Sequence, residues 1–325
     1  MRILITGATG FAGGHLVEAL LKRGGDELHG LCRRAAWPPE WAHLDGRMSL
    51  NHADLITATN LAETLARIEP DRIFHLAGYA DNGRSIKEPD EAWAGNLTAT
   101  KNLYDAVTRW GGKPRILFVS SGLIYGDGKQ PLNENCVLRP ATPYAASKGA
   151  TDLLSYQQTR HPGLDIVIVR PFNHIGPRQT PVYAIPGWAS QLAEIATGRR
   201  EPVVRHGDLS SRRDFTDVRD MVQAYILLME KGRKGEAYNA GSGMAVSMED
   251  VVDRLIALSG VRAQREAGPE QSRLVETSTS CADSTKLRHE TGWTPRISLD
   301  QTLTDTLEYW KKVQRTTDHG PRTTS

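Results

Sequence analysis

The first thirteen residues constrain the fold of this chain more than any other stretch. An apolar run of strand length, Arg2–Thr6, leads directly into Gly7-Ala8-Thr9-Gly10-Phe11-Ala12-Gly13, and a helical pattern follows over Phe11–Lys22. Glycines at such a junction allow a tight turn, close approach of the backbone to a ligand, and close packing of helix on strand. The first N–H groups of the helix are left without intrahelical partners, and the helix dipole makes them attractive to an anion. A glycine triplet alone is weak evidence and also fits an ordinary turn. Placed after a strand and opening a helix, it reads as a dinucleotide pyrophosphate cradle formed by Gly7, Thr9, Gly10, Phe11, Ala12 and Gly13.

The rhythm that follows agrees with this reading. Short apolar runs at Leu28–Cys32, Arg72–Leu76, Arg115–Ser120 and Asp165–Val169 read as strands. Between them lie helical patterns. One carries Trp93, Leu97, Thr100, Tyr104 and Val107 at helical spacing, and another spans Pro143–Thr159. Continuous apolar strands alternating with helices predict an α/β fold of Rossmann type, a doubly wound parallel sheet, with a smaller α/β C-terminal lobe. After Arg170 the rhythm breaks at Pro171, Gly176, Pro177, Pro181, Pro186 and Gly187. Helices are expected near Trp188–Thr197, Met221–Glu230 and Ser247–Leu258, with a last one carrying Leu299, Leu303, Leu307 and Trp310 on one face. The expected division is 1–170 for the dinucleotide-binding domain, with 211–235 returning to it. The lobe takes 171–210 and 236–315, and 316–325 is a frayed tail.

Composition removes several classes of function. The 325 residues are 39% apolar and 24% charged, which suits a folded chain with a sizeable core. Forty Lys+Arg against 38 Asp+Glu leave a net charge of +2, far from the basic excess of a general nucleic-acid binder. Apolar runs fall well short of the ~20 residues that span a bilayer. The strand-like run directly after Met1-Arg2 does not read as a signal peptide. Cys32, Cys136 and Cys281 are odd in number and far apart, which points away from a disulfide framework and toward the cytoplasm.

The second strand bears on which dinucleotide is bound. A strand that serves NAD commonly ends in an acid for the ribose 2′-hydroxyl, whereas this one ends Leu31-Cys32-Arg33-Arg34. Two cations suit the 2′-phosphate of NADP(H) and favour it over NAD(H), unless they are simply solvated surface charges. Asp54-Leu55, past the third strand, serves either the adenine amino group or a helix N-cap at Asp54.

Tyr144 and Lys148 stand four apart on one helical face, where an ammonium and a positively charged nicotinamide lower a phenol from its ordinary pKa of ~10. The spacing is common by chance. It gains meaning from Ser120-Ser121-Gly122-Leu123-Ile124-Tyr125-Gly126 at the carboxyl end of a parallel strand, where ligands of such sheets bind.

With these residues in place, the chain resembles the extended short-chain dehydrogenase/reductase superfamily over nearly its whole length. The matching pieces are Thr6–Gly13, Asp54-Leu55, His75-Leu76-Ala77-Gly78, Asn96, Ser121, Tyr144/Lys148 and Arg170-Pro171-Phe172-Asn173. The resemblance implies Tyr144 as general acid/base, Lys148 as its partner and holder of the nicotinamide ribose, and Ser121 as third member. It adds Leu76, Ala77 and Gly78 to the cofactor contacts. Val169–Pro177 and Ser211–Val218 look most like the GDP-4-keto-6-deoxy-D-mannose reductases, and GDP-mannose 4,6-dehydratases share parts of them. A dehydratase of that kind carries an acid pair after its catalytic hydroxyl. Gly122 and Leu123 hold those positions here, and neither transfers a proton.

The implied reaction is NAD(P)H-dependent reduction of the C4 keto group of a nucleotide-linked 4-keto-6-deoxyhexose, giving GDP-D-rhamnose or its C4 epimer. The alternatives are a nucleotide-sugar epimerase with retained NAD and a non-catalytic dinucleotide sensor, the latter disfavoured by the intact Ser121, Tyr144 and Lys148. Asn173, Arg213 and Arg273 match substrate positions, with solvation the competing reading for Arg273 and an ion pair to Asp214 for Arg213. Ser85 and Lys87 are weaker candidates. His75 and His174 read as structural. Loose matching over Gly268–Ser280 leaves GDP, dTDP and UDP open. The resemblance also implies a homodimer formed through helices around 90–110 and 143–159; core packing is the competing reading of their aromatic stripe.

Overall fold

Strict alternation of side chains along the strands builds this molecule in layers. The computed structural model describes residues 1–34, 36–268 and 278–317; Arg273 and the tail beyond 317 lie outside the described residues. The strands in chain order are β1 (Arg2–Thr6), β2 (Glu27–Cys32), β3 (Ser49–His52), β4 (Arg72–His75), β5 (Arg115–Val119), β6 (Asp165–Pro171), β7 (Asn173–Ile175), β8 (Val203–His206), β9 (Arg212–Asp217), β10 (Ala237–Ala240), β11 (Ala245–Ser247), β12 (Gln264–Ala267) and β13 (Thr279–Ser280). The helices are α1 (Phe11–Arg23), α2 (Leu61–Ile68), α3 (Asn82–Ser85), α4 (Pro89–Trp93), α5 (Ala99–Trp110), α6 (Pro143–Arg160), α7 (Ala184–Ala196), α8 (Val218–Lys231), α9 (Met248–Ser259), α10 (Thr285–Thr291) and α11 (Leu299–Thr317).

Seven strands form one parallel sheet in the order β3-β2-β1-β4-β5-β6-β10. Ile3, Ile5, Phe74, Leu117, Val167 and Val169 face α1 and α8, while Leu4, Ile73, Ile116, Phe118, Ile166 and Ile168 face α2 and α5. Adjacent residues thus enter opposite cores, as the period of two requires, and both faces are buried. The strand order reverses beside β1, which opens a crevice at the carboxyl ends of β1 and β4. This is the doubly wound α/β fold expected from the alternation.

The lobe has its own core, in which Trp188 and Leu192 of α7, Val251 and Leu255 of α9, and Leu303 and Leu307 of α11 meet Ile175 and Val204. Its small sheet is built on β9, which pairs with β11, β13 and β7, and β8 pairs with β12. Met221, Val222 and Tyr225 of α8 lie in the large core with α1.

The structure corrects the expected lobe segment 236–315 in one respect. Ala237–Ala240 is not part of the lobe but the edge strand β10 of the large sheet, paired with β6. Tyr238, Leu287 and Trp293 are buried in the large core, and Trp293 Nε1 donates to the Asp220 carbonyl at 2.9 Å. A four-residue strand is too short to show a period, so its partner had to come from tertiary packing. The helix expected across Trp93–Val107 is interrupted as well. A π turn at Ala94–Thr98 separates α4 from α5, with Asn96 buried inside it. No described helix is long and apolar enough to cross a membrane.

Candidate active site

The turn after β1 has the geometry its glycines predict. Gly7 adopts φ +71°, and its N–H donates to the Leu31 carbonyl at 3.2 Å. A Cβ at Gly13 would stand 2.0 Å from the Gly7 oxygen, so helix and turn approach too closely for any side chain there. Gly10 caps α1 without a side-chain bond, and the first turn carries no acid. The leading amides therefore face the crevice with a positive dipole end, which suits a pyrophosphate. Leu76 and Ala77 close the opposite wall, their N–H groups bonded to the Thr6 carbonyl (3.2 Å) and to Thr6 Oγ1 (3.1 Å).

His75 supports that wall. Its Nδ1 meets Thr6 Oγ1 at 2.7 Å and its Nε2 meets Thr100 Oγ1 at 2.9 Å. Thr6 Oγ1 also accepts from Ala77, so the ring ties the wall to Thr6 on one side and to Thr100 on the other. Burial, with the Lys148 charge adding to it, pushes His75 down to about 3, so the ring is neutral. It is a strut, as the sequence reading held. His174 is likewise packed, its ring stacked on Phe11 at 6.1 Å between centroids.

Arg33 and Arg34 leave the carboxyl end of β2 exposed, and no hydrogen bond or ion pair occupies either side chain among the described residues. Asp54 caps no helix. Its Oδ1 accepts from the Ile56 N–H at 2.8 Å in a local turn, while Leu55 is buried beside it. The alternative reading of Asp54 as an N-cap is thereby removed, since α2 begins only at Leu61.

The candidate reactive group is assembled from three elements. Thr142 caps α6, accepting from Ala145 N at 3.2 Å, and Pro143 stands at the first helical position, so Tyr144 sits in the first turn. Ser85 Oγ accepts from Tyr144 N at 3.2 Å, which makes Ser85 a buttress of this first turn; Lys87 is exposed. One turn on, the Lys148 ammonium donates to the Val119 carbonyl at 3.0 Å and lies 5.6 Å from the Phe118 ring centre. Burial pushes it down to about 8. Gly78 makes room for it, because a Cβ there would stand 3.3 Å from Lys148 Nζ and 2.6 Å from Asn96 Oδ1. Asn96, in turn, accepts from Tyr79 N at 2.9 Å and donates to Ser147 Oγ at 2.9 Å, tying the π turn to α6.

Ser121 follows β5 and caps a short 3₁₀ turn, Gly122–Tyr125, accepting from Leu123 N at 3.2 Å. A Cβ at Gly122 would stand 2.8 Å from the Phe172 ring, so the residue after Ser121 has no space for an acid. Next to it, the buried Ser120 hydroxyl has no hydrogen-bond partner among the described residues. Buried polar atoms are rarely left so, and a polar ligand group at this strand end would satisfy it.

Tyr144 is the candidate proton donor, and the lowering expected for it rests in part on the nicotinamide charge of a bound cofactor. Burial raises its phenol above the ordinary value, and only the Ser121 hydroxyl opposes that rise. Removal from water penalises a phenolate.

Among the substrate candidates, Asn173 opens β7 and is exposed; its register partner on β9 is Phe215, two residues from Arg213. Arg213 Nη1 donates to the Arg212 carbonyl at 3.0 Å, and Arg212 itself reaches the Ala245 carbonyl at 2.8 Å. The Asp214 carboxylate is occupied by Ser242 N (2.8 Å), Gly243 N (2.9 Å) and Ala282 N (3.0 Å), so its work is to fold the loop before β11. Ser121, Tyr144, Lys148 and Gly78 thus meet at one strand end, and Asn173 and Arg213 lie on paired strands of the lobe.

The sequence reading missed one feature of this site. Asp152, Arg170, Tyr125 and Asn239 form a buried polar array behind the candidate catalytic residues. The signal was present as an arginine inside an apolar strand and an acid two turns after Tyr144.

The GDP-mannose 4,6 dehydratase family profile matches residues 4–306. The GDP-6-deoxy-D-mannose reductase of Pseudomonas aeruginosa is 30% identical over 317 residues, covering 97% of this chain and 98% of the reductase. A UDP-glucose 4-epimerase of Mycolicibacterium smegmatis is 30% identical over 315 residues, covering 96% and 99%. The structure of RMD from Pseudomonas aeruginosa complexed with NADPH superposes with a TM-score of 0.82 at 29% identity, covering 96% of this chain and 99% of that one.

Proposed function

The chain belongs to the GDP-mannose 4,6-dehydratase family of extended short-chain dehydrogenases/reductases, and from that membership we propose that it is a nucleotide-sugar 4-ketoreductase using NADPH. The substrate we assign is GDP-4-keto-6-deoxy-D-mannose. The observation that carries this reading is the meeting of Ser121, Tyr144 and Lys148 at one strand end, with Gly122 and Leu123 where a dehydratase needs proton-transferring side chains.

The residues present fit a dinucleotide: α1 opens at the Gly7–Gly13 turn with no side-chain cap and no acid in its first turn, and the Ser120 hydroxyl waits unpaired at the strand end. Bound there, NADPH supplies hydride. Arg33 and Arg34 hold the 2′-phosphate, and Lys148 holds the nicotinamide ribose. Ser121 donates a hydrogen bond to the C4 carbonyl oxygen. Tyr144, kept protonated by burial, gives that oxygen its proton as it gains negative charge. Donors aimed at an oxygen where charge develops are worth more in a site closed to water. Asn173 and Arg213 receive the sugar nucleotide, with the pyrophosphate on Arg213.

A second reading, epimerase with retained NAD, is favoured by the similarity to UDP-glucose 4-epimerase. Arg33 and Arg34, in place of an acid for a ribose 2′-hydroxyl, weigh against it. A homodimer through α4, α5 and α6 is part of the proposal, as is work in the cytoplasm, consistent with Cys32, Cys136 and Cys281 being unpaired.

Purified enzyme is incubated with NADPH and GDP-, dTDP- or UDP-linked 4-keto-6-deoxyhexoses. NADPH oxidation with the GDP sugar, abolished in Tyr144→Phe while NADPH still binds, is the expected result. Unchanged turnover in Tyr144→Phe overturns the catalytic assignment. Failure of every substrate to oxidise NADPH overturns the reductase reading in favour of the epimerase.

A further inference from the structure

Behind the catalytic residues lies a buried polar array centred on the Arg170 guanidinium. Arg170 Nε and Nη2 donate to the two Asp152 oxygens at 2.9 and 2.8 Å. Nη1 donates to the Tyr125 hydroxyl at 2.8 Å and to the Glu134 carbonyl at 3.3 Å. The guanidinium also lies 5.3 Å from the Tyr125 ring centre. Tyr125 passes its own hydrogen to Asn239 Oδ1 at 2.7 Å, and Asn239 Nδ2 donates to the Leu132 carbonyl at 2.9 Å. Relative exposures are 8% for Arg170, 2% for Asp152, 1% for Tyr125 and 0% for Asn239. Each polar group is satisfied, the condition under which a buried charged array makes a unique arrangement rather than a liability.

Its placement connects the array to the chemistry. Asp152 stands two turns after Tyr144 and one after Lys148 on α6. Tyr125 ends the 3₁₀ turn that Ser121 caps. Arg170 lies on β6, beside β5. One guanidinium therefore fixes, from behind, both the helix that carries the proton donor and the turn that carries the second hydroxyl. We propose that Tyr125 is a positioning residue of the reaction: its hydroxyl, clamped between Arg170 and Asn239, sets where Ser121 stands relative to Tyr144. This rests on the reading of Ser121 and Tyr144 as donors to a C4 oxygen. A hydrogen-bond network that only stabilised the fold would not need to converge on both elements.

The decisive experiment is a double-mutant cycle. Tyr125→Phe removes one oxygen and leaves the Arg170–Asp152 pair intact. It is made in the wild-type chain and in Ser121→Ala, and kcat, KM and NADPH affinity are measured for all four proteins. The expected result is a fall in kcat of about tenfold or more in the wild-type background. KM and NADPH affinity stay unchanged, and in Ser121→Ala the same change costs no more than about twofold. Equal losses in both backgrounds, or no loss at all, overturn the proposal. Asn239→Leu, which removes the acceptor of the Tyr125 hydroxyl, run against Ser121→Ala in the same way, provides a second cycle should Tyr125→Phe fold poorly. The assay uses whichever C4-keto or C4-hydroxyl nucleotide sugar the wild type converts, UDP-glucose epimerisation included. Loss of the reductase reading and loss of coupling are therefore separate outcomes.

Discussion

Lys148 donates from its ammonium to the main-chain carbonyl of Val119 at 3.0 Å, so the helix that carries Tyr144 is bonded to the strand that leads to Ser121. Burial depresses this ammonium from 10.5 to about 8. For reduction, Lys148 must be charged and Tyr144 protonated, and Lys148 is the first of the two to lose its proton as pH rises. Turnover is therefore expected to decline as pH passes through about 8, by roughly tenfold per further unit. A kcat profile flat to pH 10 contradicts it. The stability sign is opposite. The unfolded chain holds this proton up to its higher pKa, so stability from this group rises with pH between about 8 and 10.5 and is lowest below that window. Lys148→Met is expected to lose about a hundredfold or more in kcat without a lower Tm at pH 7. A large loss of Tm would mean that the Val119 bond outweighs the burial of charge.

Gly13→Ala tests the turn. With the new methyl 2.0 Å from a main-chain oxygen, no rotamer relieves the contact and the backbone must move. The expected cost is about 1–3 kcal/mol of stability, with NADPH affinity falling more than Tm accounts for because the amides of the cradle are displaced. Thermal unfolding with and without NADPH separates the two effects.

In the proposed function, Arg33 and Arg34 carry the choice of cofactor. Each charge-assisted bond to a phosphate is worth about 1.5–3 kcal/mol, so the double Ala variant should bind NADPH roughly a hundredfold or more weakly while NADH affinity barely changes. Fluorescence titration with both dinucleotides reads this directly. Equal weakening of both would place the arginines elsewhere in the cofactor's path, and no weakening would leave them as solvated surface charges.

These expectations show which features local sequence carries. The glycine turn was legible because Gly7, Gly10 and Gly13 sit where a strand becomes a helix, a junction whose chemistry is local. Ser121 and the Tyr144/Lys148 pair were legible for the same reason, one ending a strand and the other spaced along a helix. Tyr238 was not legible. Its strand is four residues long, and its place at the sheet edge follows from pairing with a strand almost seventy residues earlier. Tyr144's upward shift was also hidden, because removal from water depends on what packs around a phenol rather than on the residue four positions away. The Arg170 array is the extreme case, since its four side chains come from four separate elements.

The face of α6 opposite the site makes the last prediction. Leu153 is 63% exposed and Tyr156 51%, three residues apart on one helix, and Trp93 at the end of the neighbouring α4 is 38% exposed. Tyr104 and Ser155 meet at 2.8 Å inside the same helix pair, so the buried side of α5 and α6 is already satisfied and the apolar residues outside it are surplus to the core. Exposed aromatic and aliphatic groups grouped on adjoining helices mark an interface. In a symmetric pairing each residue is used twice, so one substitution buries two charges in the interface. Leu153→Asp is therefore expected to convert a dimer to monomers at micromolar concentration with little change in the NADPH site, read by sedimentation. Wild-type enzyme that sediments as a monomer removes the dimer from the proposal, and a variant that remains dimeric moves the contact to another face.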